Sequence, residues 1–386
     1  MDVRAAPAAD PHPAPPAPPP AHPVRPGARQ QLTKESPMRQ YTRRSVTALL
    51  GIGALTLAGC SAGSGTRATE ATAGGSAAAG PAAENVFKLA FNQSEAHPQF
   101  VALSAMGERI KERTGGEYDV DVFPNETLGA QKETIELVQA GTIQFAMVAS
   151  PLMENYEPNF VVFNLPFVFD SQEHQRAVTN DPGIVSELYS SLEDQNLTVL
   201  AGFHGGVRSM YNSERAITTP ADMAGMKIRV IESDTNLEMI RLMGGNGTPM
   251  GMGEVYTAIQ SGVIDGAENN ELTYANSKHA EVAQFYSYTR HLMLPDYLIT
   301  NPTVMASLPE DVRTIFEEEL ATAVEEEGAL WEDEIVRAKK AAEDAGAVFN
   351  EVDKEAFDAA IEPLTEAKLT NDVVRDLHAK TRAAAG

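Results

Sequence analysis

The 386-residue chain has a single cysteine, Cys60. That excludes an internal disulfide, a CxxC redox pair and a cysteine zinc cage. Aromatic residues are scarce at 6%, and basic residues number 30 against 54 acidic ones. The formal net charge is −24. Seven basic and three acidic residues precede Cys60, so the remainder carries −28. A surface of that sign repels nucleic acid and anionic lipid, and neither is expected as a partner through surface charge. It does not exclude a small anionic ligand, because a few buried arginines dominate a pocket locally. There is no HExxH, no GxSxG elbow and no P-loop. Neither a metal nor a cofactor is expected, and no apolar run suits a permanent membrane span.

What is present begins with processing signals. Residues 1–37 are rich in Pro and Ala and cannot build a core; Met38 is a candidate start. Arg39, Arg43 and Arg44 precede a short apolar stretch, Val46 to Ala58, the pattern of a signal peptide. Leu57-Ala58-Gly59-Cys60 resembles the bacterial lipobox, so Cys60 is expected to be lipidated and to become the mature N-terminus. Arg43-Arg44 suits twin-arginine export, and dibasic starts suit ordinary secretion too. Residues 61–84, mostly Ser, Gly, Ala and Thr, read as a flexible linker.

The body reads as alternating strands and helices. Val86–Phe91 is a strand. Phe100, Leu103, Met106 and Ile110 recur at helical spacing over Pro98–Arg113, closed by Gly115-Gly116. Tyr118, Val120 and Val122 alternate with aspartates, a second strand; Gln131–Ala140 is helical and Ile143–Ala149 is a third strand. This βαβαβ order predicts a parallel sheet with helices on its faces, and ligands beyond the carboxyl ends of its strands. A second α/β stretch has strands near Thr198–Phe203, Arg208–Asn212 and Lys227–Ile231, with helices near Thr235–Met243 and Glu254–Gly262. Residues 309–345 read as one long acidic helix able to lie across two domains, and Phe357–Ala385 as helical.

Several motifs occur in order. Phe123-Pro124 with Leu128-Gly129 makes an FPxxxLG turn, and Asn164–Phe169 reads NLPFVF. Gly225–Val230 leads through Pro249–Ala258 to Gln260–Asn270, which ends DGAENN. Together they resemble the solute receptors of tripartite ATP-independent periplasmic (TRAP) transporters, of the DctP-like family, over roughly 85–370. DGAENN and Glu232-Ser233-Asp234 resemble the sugar-acid branch. The resemblance implies a two-domain periplasmic-binding-protein-like α/β fold with a hinge, a cleft and a domain-spanning helix. Domain I is expected at 85–206 and 295–335, and domain II at 207–294 and 336–386. It also implies delivery of a small carboxylate to a small and a large membrane subunit, by a receptor that is often a monomer.

A carboxylate enclosed in a cleft must be paired and hydrogen-bonded. Arginine offers a planar fork that grips both its oxygens. Arg229, between Ile228 and Val230 in a strand, points to the face opposite them; the resemblance makes it the clamp. Arg208, after His204-Gly205-Gly206, is the second anion-binding arginine by the same resemblance. Asn269 suits a carboxylate and a neighbouring hydroxyl, and Asn270 is a further candidate. Glu95 and His97, at the carboxyl end of the first strand, are candidates for sugar hydroxyls, or else caps for the helix at Pro98. Met153, Asn155, Tyr274 and His291 are lesser candidates. The rival readings are a sensory receptor using the same binding chemistry, a C4-dicarboxylate binder, and a surface enzyme acting on sugar acids.

Overall fold

The computed structural model describes residues 85–385. Cys60 and the expected signal and linker segments lie outside the described residues. The chain opens with β1 (Asn85–Ala90), α1 (Pro98–Arg113), β2 (Tyr118–Phe123), α2 (Gln131–Gln139) and β3 (Phe145–Ala149). Short helices α3 (Ser150–Met153), α4 (Gln172–Thr179) and α5 (Pro182–Ser190) lead to β4 (Thr198–Asn212). Then come β5 (Lys227–Val230), α6 (Asp234–Leu242), β6 (Asn246–Pro249) and α7 (Val255–Gln260). β7 (Gly266–Asn269), α8 (Glu271–Asn276) and β8 (Phe285–Thr300) follow. The chain ends with α9 (Pro302–Ser307), α10 (Glu310–Asp344), β9 (Val348–Glu351), α11 (Lys354–Lys368) and α12 (Asp372–Ala383).

The amphipathic reading of α1 holds: Leu103, Met106 and Ile110 are buried. Pro98 opens the helix after His97, whose Nδ1 accepts from the Gln99 N–H at 3.3 Å. Gly115 and Gly116 end it at positive φ, a conformation glycine adopts without steric cost. Near the C-terminus the expected single helical stretch is two helices. The break falls at Leu369–Asn371, where Asn371 Oδ1 caps α12 by accepting from Val374 N at 2.9 Å.

The strands form one sheet in the order β2-β1-β3-β8-β4-β7-β5-β6, with β9 also on β8. β1 pairs parallel with β2 and β3, and β5 pairs parallel with β6 and β7, as βαβ units should. The sheet as a whole is mixed, because β8 runs antiparallel to both β3 and β4. The two long central strands depart from the sequence reading. The strands read at Thr198–Phe203 and Arg208–Asn212 are one 15-residue strand, β4. Register shifts between His204 and Val207 carry the pairing through Gly205-Gly206. The 16-residue β8 was not anticipated. Pro295, Arg290 and His291 interrupt its apolar pattern, and both its faces are largely buried, so no clean alternation marks it.

β4 and β8 are long enough to belong to both halves of the molecule. Phe203 and Asp296 lie in the half built on β1–β3, and Tyr211 and Tyr286 in the half built on β5–β7. α10 spans both as well. At 1.5 Å per residue its 35 residues extend about 52 Å. Phe316, Ala323 and Val324 pack in the cluster holding α1, whereas Trp331 and Ala338 pack with Leu272 of α8. The domain boundaries expected at 295 and 335 fall inside β8 and α10.

Candidate functional site

A cavity of about 300 Å³ lies between the halves, at the carboxyl ends of β1, β3, β5 and β7. A larger cavity of about 630 Å³ lies on the outer face, under α10 and against β4. Its lining is mostly apolar, and its arginine, Arg176, is already paired with Glu325 at 2.9 Å. The smaller one holds the convergent polar groups.

Two arginines line it, and they differ in kind. Arg208, on β4, is engaged within the protein through all three of its guanidinium nitrogens. Its Nε and Nη2 grip the Glu268 carboxylate, the Nη2–Oε1 bond being 2.8 Å. Nη2 also donates to Glu268 O at 2.7 Å and Nη1 to Asn269 Oδ1 at 2.9 Å. Burial alone would raise the Glu268 pKa; Arg208, aided by His291 at 3.6 Å, brings it down to about 2. Arg229, on β5, is 5% exposed and has no ion-pair partner among the described residues. Ile228 and Val230 are buried in the core on the opposite face, as strand alternation requires. Arg229 Nε donates to Met250 O at 2.9 Å, the guanidinium's sole hydrogen bond among the described residues. Burial pushes its pKa down, with the nearby Glu268 opposing. The site thus holds an enclosed guanidinium without a counter-ion.

The other anticipated residues distribute as follows. Asn269 lines the cavity; its Oδ1 accepts from Arg208 and from Asn270 N, while its Nδ2 has no partner among the described residues. Asn270 also lines it, but its amide is committed within the protein. Oδ1 caps α8 through Thr273 N at 2.8 Å, and Nδ2 donates to Gly205 O at 2.9 Å. A Cβ on Gly206, at φ 83°, would stand 2.6 Å from that Nδ2, so this close approach requires glycine. His97 lines the cavity and caps α1 at once. Burial, with His204 nearby, lowers its pKa to about 3, so the ring is neutral. Since Nδ1 accepts, the proton sits on Nε2. Glu95 is exposed and is not brought to the cavity. Of the lesser candidates, Met153 and Tyr274 are core residues and His291 sits behind Glu268. Asn155 Nδ2 donates across the cleft to Glu232 O at 3.0 Å.

Sequence reasoning missed Glu126 and Asp296. Glu126 follows β2 in the FPxxxLG turn, so its place at a strand's carboxyl end was a usable signal. Asp296 had none, because β8 was not recognised. Asp296 Oδ2 accepts from Gln99 Nε2 at 2.9 Å, and the same Nε2 donates to His204 O at 2.9 Å. Desolvation raises the Asp296 pKa. The halves also touch directly across the cavity mouth. Glu126 Oε2 accepts from Gly253 N at 3.0 Å, and Lys132 Nζ meets Glu232 at 3.0 Å. The conformation is therefore closed over the cavity.

The profile of bacterial extracellular solute-binding protein, family 7 (DctP), matches residues 89–371. A solute-binding protein from Chromohalobacter salexigens is 38% identical over 270 residues, covering 69% of this chain and 80% of that one. The 2,3-diketo-L-gulonate-binding periplasmic protein of Escherichia coli is 30% identical, covering 71% and 84%. Among solved structures, a TRAP periplasmic solute-binding protein from Anaerococcus prevotii with bound D-glucuronate matches with TM-score 0.75 and 35% identity, over 78% of this chain and 98% of that one. One from Xanthobacter autotrophicus with bound β-D-galacturonate matches with TM-score 0.73 and 33% identity, over 77% and 99%. The cleft, the spanning helix, the matched span and these relatives together place the chain in family 7 of the bacterial extracellular solute-binding proteins, as a TRAP-type receptor of the two-domain fold.

Proposed function

We propose that the protein captures a hydroxylated organic acid, a uronate before others, outside the cytoplasm and delivers it to the membrane subunits of a TRAP transporter. The observation that carries this is Arg229, an enclosed guanidinium on the cavity wall with no carboxylate of its own. A buried charge without a partner is costly, and a ligand carboxylate supplies the missing partner. Asn269 Nδ2 is a second donor for it, and Arg208, held by Glu268, offers its positive field beside it. The volume suits one small molecule. The relatives with bound glucuronate and galacturonate support the sugar-acid class. A relative from Rhodobacter capsulatus, 32% identical, is a C4-dicarboxylate-binding protein, which makes a dicarboxylate the second reading.

In this account the open form takes the ligand on one half and closes about β4 and β8, where Gly205-Gly206 interrupts the strand pairing. The ligand shifts the equilibrium because only the closed form contacts it from both sides. In this account the lobes are 85–206 with 295–335 and 207–294 with 336–386. The closed monomer then docks on the small and large membrane subunits, tethered by a lipid on Cys60. Binding occurs without turnover, metal or cofactor.

The test is titration calorimetry of the purified protein with D-glucuronate, D-galacturonate and succinate. Heat from a uronate, weakened at least about a hundredfold in Arg229→Ala, is the expected result. Undiminished affinity in that variant would sink the clamp.

A further inference from the structure

The cavity lining also carries carboxylates. Glu126 sits in the turn after β2, where Asn125 and Glu126 both take left-handed backbone, φ 57° and 54°. Non-glycine residues seldom adopt that conformation, and here two in succession set the Glu126 side chain against the cavity. Its Oε2 accepts from Gly253 N at 3.0 Å across the cleft. Its Oε1 is buried and has no hydrogen-bond partner among the described residues. Among the described residues no cation lies within ion-pair distance of Glu126; desolvation raises its pKa, while the Gly253 N–H and the Arg229 charge pull the other way. Asp296, another carboxylate lining the cavity, likewise has no ion pair among the described residues; its one donor among them is Gln99, and the Arg208 charge lies nearby.

Charge is therefore apportioned unevenly. Arg208 is matched by Glu268, which leaves Arg229 as the cavity arginine without an ion-pair partner among the described residues, suited to one ligand carboxylate. Beside Glu126 or Asp296 a second carboxylate on the ligand would meet like charge. A hydroxyl meets them as a donor, satisfying an acceptor that is otherwise orphaned. We infer that Glu126 sets which acids the cavity admits: its carboxylate accepts from a ligand hydroxyl and turns away acids that carry a second carboxylate. This rests on the proposed capture by Arg229 and adds to it a basis for choosing among acids.

The experiment compares D-glucuronate with D-glucarate, which carries a second carboxylate at the far end of the same six-carbon chain. Each is titrated calorimetrically into the wild-type protein, Glu126→Gln and Glu126→Asp, with unliganded melting checked to confirm folding. The wild type is expected to favour glucuronate by at least about tenfold, and Glu126→Gln to narrow that ratio by about tenfold or more. Glu126→Asp, which keeps the charge, should keep most of the discrimination. A merely structural role through Gly253 would weaken both acids alike and leave the ratio unchanged; that outcome overturns the inference while leaving the Arg229 reading standing. A wild type that prefers glucarate overturns it in the same way. A wild type that binds neither acid overturns both.

Discussion

Arg208 and Arg229 reach one cavity from β4 and β5, yet their removal should have opposite consequences. Arg208→Ala strands Glu268 in the interior, where burial opposes its charge. Loss of one partner from a buried pair costs about 3–5 kcal/mol, so denaturant melts should show a drop of that size. Arg229→Met removes a buried charge that has no ion-pair partner among the described residues; unliganded stability should hold or rise while binding is lost. His204 offers a further test. Its folded pKa, lowered by burial to about 3, lies below the ordinary 6.5. Between those values the unfolded chain binds the extra proton, so this group's contribution is full above pH 6.5 and is lost as pH falls toward 3. His204→Asn should reduce the acid-side slope of stability by about 1.4 kcal/mol per pH unit, read from denaturant melts between pH 6 and 4. At this scale the sequence was informative where chemistry and backbone alternation coincide, as at Arg229. It was uninformative where partners come from distant strands: nothing local says that Glu268 neutralises Arg208, or that Asn270 spends its amide on Thr273 and Gly205.

Elements followed the same logic. α1, α2 and α10 were legible because a repeating apolar face and end signals are local properties. β8 was hidden because its burial depends on neighbours from both halves, β3 and β4 on one stretch and β9 on another. β4 looked like two strands because Gly205-Gly206 reads as a break; tertiary pairing with β8 carries it through. Gly266 tests the packing of this region. A Cβ there would fall 2.1 Å from Tyr211 O and 2.8 Å from Asn212 Cα on the paired strand. Backbone cannot yield as a side-chain tip does. Gly266→Ala should therefore destabilise by at least about 1–3 kcal/mol, the cost of overpacking, with a matching fall in the melting temperature.

The halves meet over the cavity through a handful of polar contacts, one of them an exposed ion pair. The Lys132–Glu232 pair joins side chains that are 60% and 51% exposed. Such a pair contributes about 0–1 kcal/mol and is screened by salt. Lys132→Ala should thus weaken ligand binding no more than about fivefold, and the difference from wild type should shrink at high ionic strength. Calorimetry in low and high salt measures both. Small direct contacts leave closure to the ligand, as a capture-and-release protein needs.

The position of β8 has a consequence for the order in which the protein is made. It lies in the middle of the sheet between β3 and β4, yet it is among the later strands in the chain. Roughly 150 residues separate the end of β3 from the end of β8. At about 5–20 residues per second, ribosomal synthesis of that interval takes roughly 8–30 s. Throughout it, the edge of β3 that β8 will occupy has no strand to pair with, and the half built on β1–β3 is incomplete. A nascent chain whose central strand arrives this late cannot complete its sheet until it is nearly finished.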